Sequence, residues 1–129
     1  MESEIQSGLS VSAGVYDFIL DTAAVGMRET ELFAAVEHRL NRLGYPRGDY
    51  RFDFLSGERT AGIDGGPTAR TLKAGDLLLV DFSLRHEGCW CDTCRTFFLG
   101  TPSPEQADAY RLVVSAMKAG VKRLTAQTT

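Results

Sequence analysis

Apolar and polar positions alternate with two distinct periods along this chain. Ile5, Leu9, Val15, Ile19 and Ala23 recur at mostly four-residue steps, which predicts a helix over Ile5 to Ala24. Gly8 and Gly14 lie inside that span, and each costs a helix up to ~1 kcal/mol relative to alanine. A second helix opens at Glu29-Thr30-Glu31, where acidic side chains suit the positive end of the dipole. It carries Leu32, Phe33, Val36, Leu40 and Leu43 on one side and stops at Gly44, with Pro46 beyond. The period then changes to two. Tyr50 to Leu55 alternates as a half-buried strand does, and Leu77-Leu78-Leu79-Val80 is a continuous apolar run, as in a strand buried on both faces, leading into Asp81-Phe82-Ser83. Between them, Ser56 to Thr68 is rich in glycine and reads as a long loop. A turn near His86-Glu87-Gly88 returns the chain as a strand from Cys89 to Leu99. Ser103, Pro104 and Gln106 form a helix-start signature, followed by an apolar stripe of Tyr110, Val113, Val114, Met117, Val121 and Leu124. Ala126 to Thr129 reads as a frayed polar end. Two helices, strands around a loop, a hairpin and a last helix make an α+β fold, with helices packed on an antiparallel sheet.

The 129 residues predict one domain. The 14 basic and 17 acidic residues leave a net charge of −3, without the basic stripe of a nucleic-acid-binding surface. No apolar run reaches the ~18 residues of a membrane span. The acidic start Met1-Glu2-Ser3-Glu4 is unlike a signal peptide, so the expected compartment is the cytoplasm.

The apolar run ending in Asp81 is the first sign of chemistry. A carboxylate among buried residues is costly unless paired, hydrogen-bonded or metal-bound. A hairpin turn centred on His86-Glu87 sets Asp81 directly opposite Asp92, with Cβ atoms about 4.5–5.5 Å apart. Two such charges repel unless a proton or cation lies between them, and hard divalent cations take carboxylate oxygens. The plain alternative pairs Asp92 with Arg95 or Arg70 and gives Asp81 the hydrogen bonds of a turn.

A second set of residues reads H-x2-C-x-C-x2-C: His86, Cys89, Cys91 and Cys94. Taken alone it suggests zinc. In the same register, however, Cys89 and Cys91 face away from Asp81 while Cys94 and Trp90 face with Asp92, so the thiols diverge. Trp90 is placed to wall a substrate pocket or to pack in the core. His38 and His86 read as surface residues.

The stretch from Ala74 to Phe82, then Gly88 to Phe97, then Gly100-Thr101-Pro102, resembles the pita-bread metallopeptidase family, which includes methionine aminopeptidase, prolidase, aminopeptidase P and creatinase. That family reads G-D-x-V-x-V-D-F-G, a short gap, G-Y-x-x-D-x-x-R-T-F, then G-x-P. Gly26-Met27-Arg28-Glu29-Thr30-Glu31-Leu32 resembles its G-M-T-E-x-E-L helix start, and Ser56-Gly57 with Gly66-Pro67-Thr68 resembles its S-G…H-G-x-P-T loop. The resemblance implies half of a pita-bread fold. Residues 1–129 are then a single domain or a fragment matching the N-terminal half of the catalytic domain. It implies a metal-dependent hydrolase of the Xaa-Pro aminopeptidase or dipeptidase type, acting on peptides or dipeptides. Asp81 and Asp92 match the family's first two ligands to a pair of divalent metal ions (Mn, Co or Zn).

Two departures stand out. Asp64 occupies the place of a family histidine that contacts substrate, and an acid cannot replace a neutral imidazole without a large pKa shift. The family's other ligands, one His and two Glu, come after the matched half. The resemblance therefore implies an inactive chain with an unfilled metal site, unless a C-terminal half or a second copy supplies them. A ligand-depleted relative that binds peptides or proteins, and a small cysteine-based zinc protein, are the alternative readings.

Overall fold

The computed structural model describes residues 2–62 and 64–124. The expected frayed end from Ala126 to Thr129 lies outside them. Three strands form one antiparallel sheet in the order β1 (Tyr50–Ser56), β2 (Leu77–His86), β3 (Cys89–Phe98). Helices α1 (Glu2–Thr22) and α2 (Glu29–Arg42) cover one face of it, and α3 (Pro104–Arg123) follows the last strand. This is the α+β arrangement expected from the two periods.

The continuous run of β2 is buried on one face by alternation, not on both faces as its unbroken apolar residues predict. Leu78, Val80, Phe82 and Leu84 are inaccessible on the helix face, and Leu77, Leu79, Asp81 and Ser83 are only half-covered on the other. Phe54 from β1, Val15 and Ile19 from α1, and Leu32, Val36 and Leu40 from α2 complete the core.

The buried stripe of α1 differs from the one its leucines and isoleucines suggest. Gly8, Ser12, Val15, Tyr16 and Ile19 face the sheet, while Ile5 and Leu9 are about 40% exposed. Closeness decides this. A Cβ on Gly8 would lie 2.5 Å from Cys91 Sγ and 3.1 Å from His86 Cβ, so only a bare backbone lets α1 rest on the hairpin. His86 is thus half-buried rather than a surface residue, and its Nδ1 lies 2.6 Å from the Tyr45 hydroxyl. His38 is exposed on α2, as expected.

The long loop is held down. Gly57–Ala61 winds into a short 3-10 helix, and Gly65 then accepts a hydrogen bond from Phe54 N (2.8 Å) along the outer edge of β1. Glu29, fully buried at the start of α2, is the anchor. Its Oε1 accepts from Ser56 N (2.9 Å) and Ser56 Oγ (2.6 Å), and its Oε2 from Thr68 N (2.8 Å), Thr68 Oγ1 (2.7 Å) and Arg59.

The last helix has its expected cap, with Gln106 N donating to Ser103 Oγ (3.1 Å) and Ser103 N to Gln106 Oε1 (2.8 Å). Its stripe is not core. No residue of α3 is buried, and Val113, Met117 and Val121 are more than 60% exposed. Gln106 Nε2 donates to Gly75 O (3.1 Å), and the Tyr110 ring packs edge-on to Phe98. No helix among the described residues is long and apolar enough to cross a membrane.

Candidate metal-binding face

The hairpin turn sets the geometry of the site. Glu87 and Gly88 both have positive φ, 48° and 84°, as a two-residue turn of the I′ kind requires. The strands therefore close with His86 opposite Cys89, one residue later than a turn centred on His86-Glu87 would give. Asp81 consequently pairs with Cys94, and Asp92 with Ser83. The expectation that the aspartates lie directly opposite each other is corrected: they share a face as diagonal neighbours. The expected sidedness is unchanged because the shift moves the paired position by two residues, which preserves face.

The face away from α1 and α2 is laid out in rows across the sheet. Arg51, Ser83 and Asp92 make one row; Asp53, Asp81 and Cys94 make the next. Asp53 is a third carboxylate that the sequence reading did not single out. Its alternation within Tyr50 to Leu55 placed it on the polar side of a strand, but only the pairing of β1 with β2 brings it opposite Asp81. Arg51, Phe52, Asp53, Asp81, Ser83 and Asp92 line an open depression there.

Each carboxylate is held differently. Ser83 Oγ donates to Asp92 Oδ1 (2.8 Å), fixing an otherwise exposed side chain. Asp53 Oδ1 accepts from Gly65 N (3.0 Å), tying the loop to the face. Asp81 is the most stressed. Partial burial first, then the charges of Asp92 and Asp53, push its carboxyl above the ordinary aspartate value. Neither Arg95 nor Arg70 relieves the cluster. Arg95 lies over the Tyr16 ring at 5.4 Å, and Arg70 is taken by Asp76 (2.5 Å) and Glu58 (2.8 Å). Those contacts raise Arg70 further and, through the Arg70 hydrogen bond first, pull Glu58 down to about 2.

The donor chemistry here suits a hard divalent cation: clustered carboxylate oxygens face an open depression, and among the described residues none of the three is in an ion pair with a protein cation. The set is nevertheless small. Among the described residues, no group of three or more His, Cys, Asp or Glu side chains is arranged to hold a metal ion. Asp81 and Asp92 can thus be only part of a coordination sphere. The same finding weighs against the zinc reading. Cys91 is buried against α1, with its Sγ 3.6 Å from Ile5 O; His86 bonds Tyr45; Cys94 is exposed on the opposite face beside Asp81.

Asp64 is exposed and does not line the depression. Trp90 is 46% exposed, one row beyond Asp92, and so is not a core residue. The guanidinium carbons of Arg51 and Arg85 lie over its ring, at 5.5 and 6.0 Å from the centroid.

Comparison with known proteins gives the family and the fold. The model of metallopeptidase family M24 matches residues 3–129. YkvY of Bacillus subtilis is 33% identical over 109 residues, which are 83% of this chain and 30% of that protein. The Xaa-Pro dipeptidase of Pyrococcus furiosus is 29% identical over 97 residues, 75% of this chain and 28% of that protein. Among solved structures, an Xaa-Pro dipeptidase from Bacillus anthracis superposes with a TM-score of 0.88 at 25% identity, over 100% of this chain and 37% of that one. The chain thus spans about 30% of the length of the curated relatives it matches.

Proposed function

Because the chain belongs to metallopeptidase family M24, we propose that it forms the Asp-bearing part of a metal-dependent hydrolase that cleaves Xaa-Pro dipeptides or the N-terminal bond of Xaa-Pro peptides in the cytoplasm. Asp81 and Asp92 hold the divalent ions, Mn, Co or Zn. The observation that carries this reading is the pair itself. Two aspartates share one open face, Asp81 is strained by its neighbours, and among the described residues neither forms an ion pair with an arginine or lysine, although Arg51 lines the same depression.

A bound divalent cation polarises a scissile carbonyl and lowers the pKa of a water molecule. The chain's own residues prepare the face for it. Ser83 orients Asp92, β2 buries its apolar side behind Asp81, and Asp53 keeps the Gly65 loop against the sheet. The remaining ligands come from chain that packs on the uncovered side of α3, either a continuation of this polypeptide or a second copy. The open stripe of Val113, Met117 and Val121 supports that placement.

Calorimetric titration with Mn2+ tests the reading. The chain is expected to bind Mn2+ saturably, and Asp81→Ala and Asp92→Ala to weaken binding about tenfold or more, each removing a charged ligand. Binding that neither substitution changes would contradict it. It would favour the second reading, a ligand-depleted relative that binds peptides, which the exposed Asp64 supports, as does the finding that no group of three or more candidate ligands among the described residues is arranged to hold a metal ion.

A further inference from the structure

Arg51 lies among carboxylates and pairs with none of them. It stands opposite Ser83, so Asp81 is its diagonal neighbour on β2, and Asp53 follows two residues along β1 on the same face. Diagonal neighbours are about 7–8 Å apart, within reach of a long side chain. Yet among the described residues Arg51 is in no ion pair and makes no side-chain hydrogen bond. Its guanidinium carbon lies 5.5 Å from the centroid of the Trp90 ring instead. Arg85, opposite Trp90, lies over the same ring at 6.0 Å and is itself held by Asp49, to which its Nε donates (2.8 Å).

The rows of the sheet give the direction of that contact. Trp90 and Arg85 belong to the row nearest the turn, Arg51, Ser83 and Asp92 to the next, and Asp53 and Asp81 to the one after. Stacking on Trp90 therefore turns the guanidinium toward the turn and away from Asp53 and Asp81. A cation–π contact at an exposed site and an exposed ion pair are of the same order of energy, so the presence of the ring decides between them. Without the ring, carboxylates are the partners left within reach. A guanidinium bound to them would engage oxygens that a hard cation needs.

We propose that Trp90 is a positioning residue: its ring holds the Arg51 guanidinium off the carboxylates and so keeps the acidic face open to a divalent cation. This rests on the reading of Asp81 and Asp92 as metal ligands.

A double-mutant cycle tests it, with Mn2+ titrated calorimetrically into the 129-residue chain, Trp90→Ala, Arg51→Gln and the double variant. Trp90 is 46% exposed, so its truncation leaves the core intact. Trp90→Ala is expected to weaken Mn2+ binding about two- to fivefold, the worth of one exposed ion pair that the cation must displace. Trp90→Phe, which keeps a ring face, retains most of the parent affinity. In the Arg51→Gln background the loss of the ring changes nothing. Nuclear magnetic resonance of the cation-free chain gives a second readout. The Arg51 Nε–H proton lies upfield over the ring in the parent and moves downfield in Trp90→Ala as it bonds a carboxylate. An Arg51 signal that does not move downfield, or a Trp90→Ala loss that persists in Arg51→Gln, would overturn the proposal. So would unchanged Mn2+ affinity in Trp90→Ala where Asp81→Ala and Asp92→Ala do weaken binding, and that result leaves the metal reading standing. Mn2+ binding that ignores both aspartate substitutions, with the Arg51 signal moving as expected, defeats the metal reading and leaves the hold of Trp90 on Arg51.

Discussion

Replacing Glu29 by glutamine changes one oxygen to an amide nitrogen and is expected to be among the most damaging conservative substitutions in the chain. The carboxylate is fully buried and accepts five hydrogen bonds, two on Oε1 and three on Oε2. A glutamine keeps one acceptor. If that oxygen serves Ser56, its NH2 faces the Thr68 amide, the Thr68 hydroxyl and Arg59. The hydroxyl can rotate to accept, but the Thr68 N–H and the Arg59 guanidinium lose their partner. A buried donor without an acceptor costs about 1–3 kcal/mol, and breaking a buried ion pair about 3–5. Arg59 is 25% exposed and also bonds Gly66 O (2.9 Å), which reduces its share. The expected loss is about 2–4 kcal/mol. Urea unfolding followed by circular dichroism and Trp90 fluorescence measures it, with an unchanged m-value identifying a stability effect. Glu31→Gln is the control. Glu31 is exposed and accepts from Arg28 N (2.7 Å), a bond glutamine can also make, so it should lie within ~0.5 kcal/mol of the parent. Burial alone would raise the Glu29 carboxyl, but the hydrogen bonds from Ser56, Thr68 and Arg59 outweigh it and hold it below the usual glutamate value. A lowered folded value means stability that is present above the unfolded value, about 4.3, and lost as pH falls through the folded one. The parent should therefore lose stability more steeply than Glu29→Gln below about pH 4.3. A Glu29→Gln chain within ~1 kcal/mol of the parent at neutral pH would refute the account of the loop as pinned by this carboxylate.

Three further outcomes are expected. Gly8→Ala should lower the melting temperature despite better helix propensity, because overpacking costs about 1–3 kcal/mol against a gain of at most ~1, and adding Cys91→Ala should recover part of the loss. Iodoacetamide followed by mass spectrometry should label Cys94 before Cys91 in the folded chain; burial, then the Asp81 charge, pushes the Cys94 thiol up, so its labelling at neutral pH should be slower than that of free cysteine. Asp92→Asn in cation-free buffer should stabilise the chain by about 0.2–1 kcal/mol, since it relieves Asp81 while an amide oxygen can still accept from Ser83; a lowered melting temperature would count against the repulsion described above.

Local rules carried far in this chain. The helical period marked all three α-helices, the period of two marked β1, a continuous apolar run marked β2 and the turn before Cys89 marked β3; the Ser103–Gln106 cap and the Gly44 stop were readable because they depend on residues a few positions apart. Strand alternation likewise put Cys89 and Cys91 on one face and Trp90, Asp92 and Cys94 on the other before any pairing was known. The family motif around Asp81 and Asp92 was equally legible, being a pattern of fixed short spacings.

Contacts between distant segments were not. The register shift at Glu87-Gly88 turned on a left-handed glutamate, a conformation that non-glycine residues seldom adopt. Asp53 joined the carboxylates only because β1 pairs with β2 across a twenty-residue connection, and Glu29 became a buried anchor only because Ser56, Arg59 and Thr68 fold back over it. The stripe of α3 had the pattern of a core helix and remained largely uncovered. The sequence by itself determined where helices and strands form and which side chains share a face within each strand, since those follow from neighbours along the backbone. Tertiary structure alone decided which charges meet and which apolar face finds a partner, because burial and charge proximity depend on segments that the chain brings together from far apart.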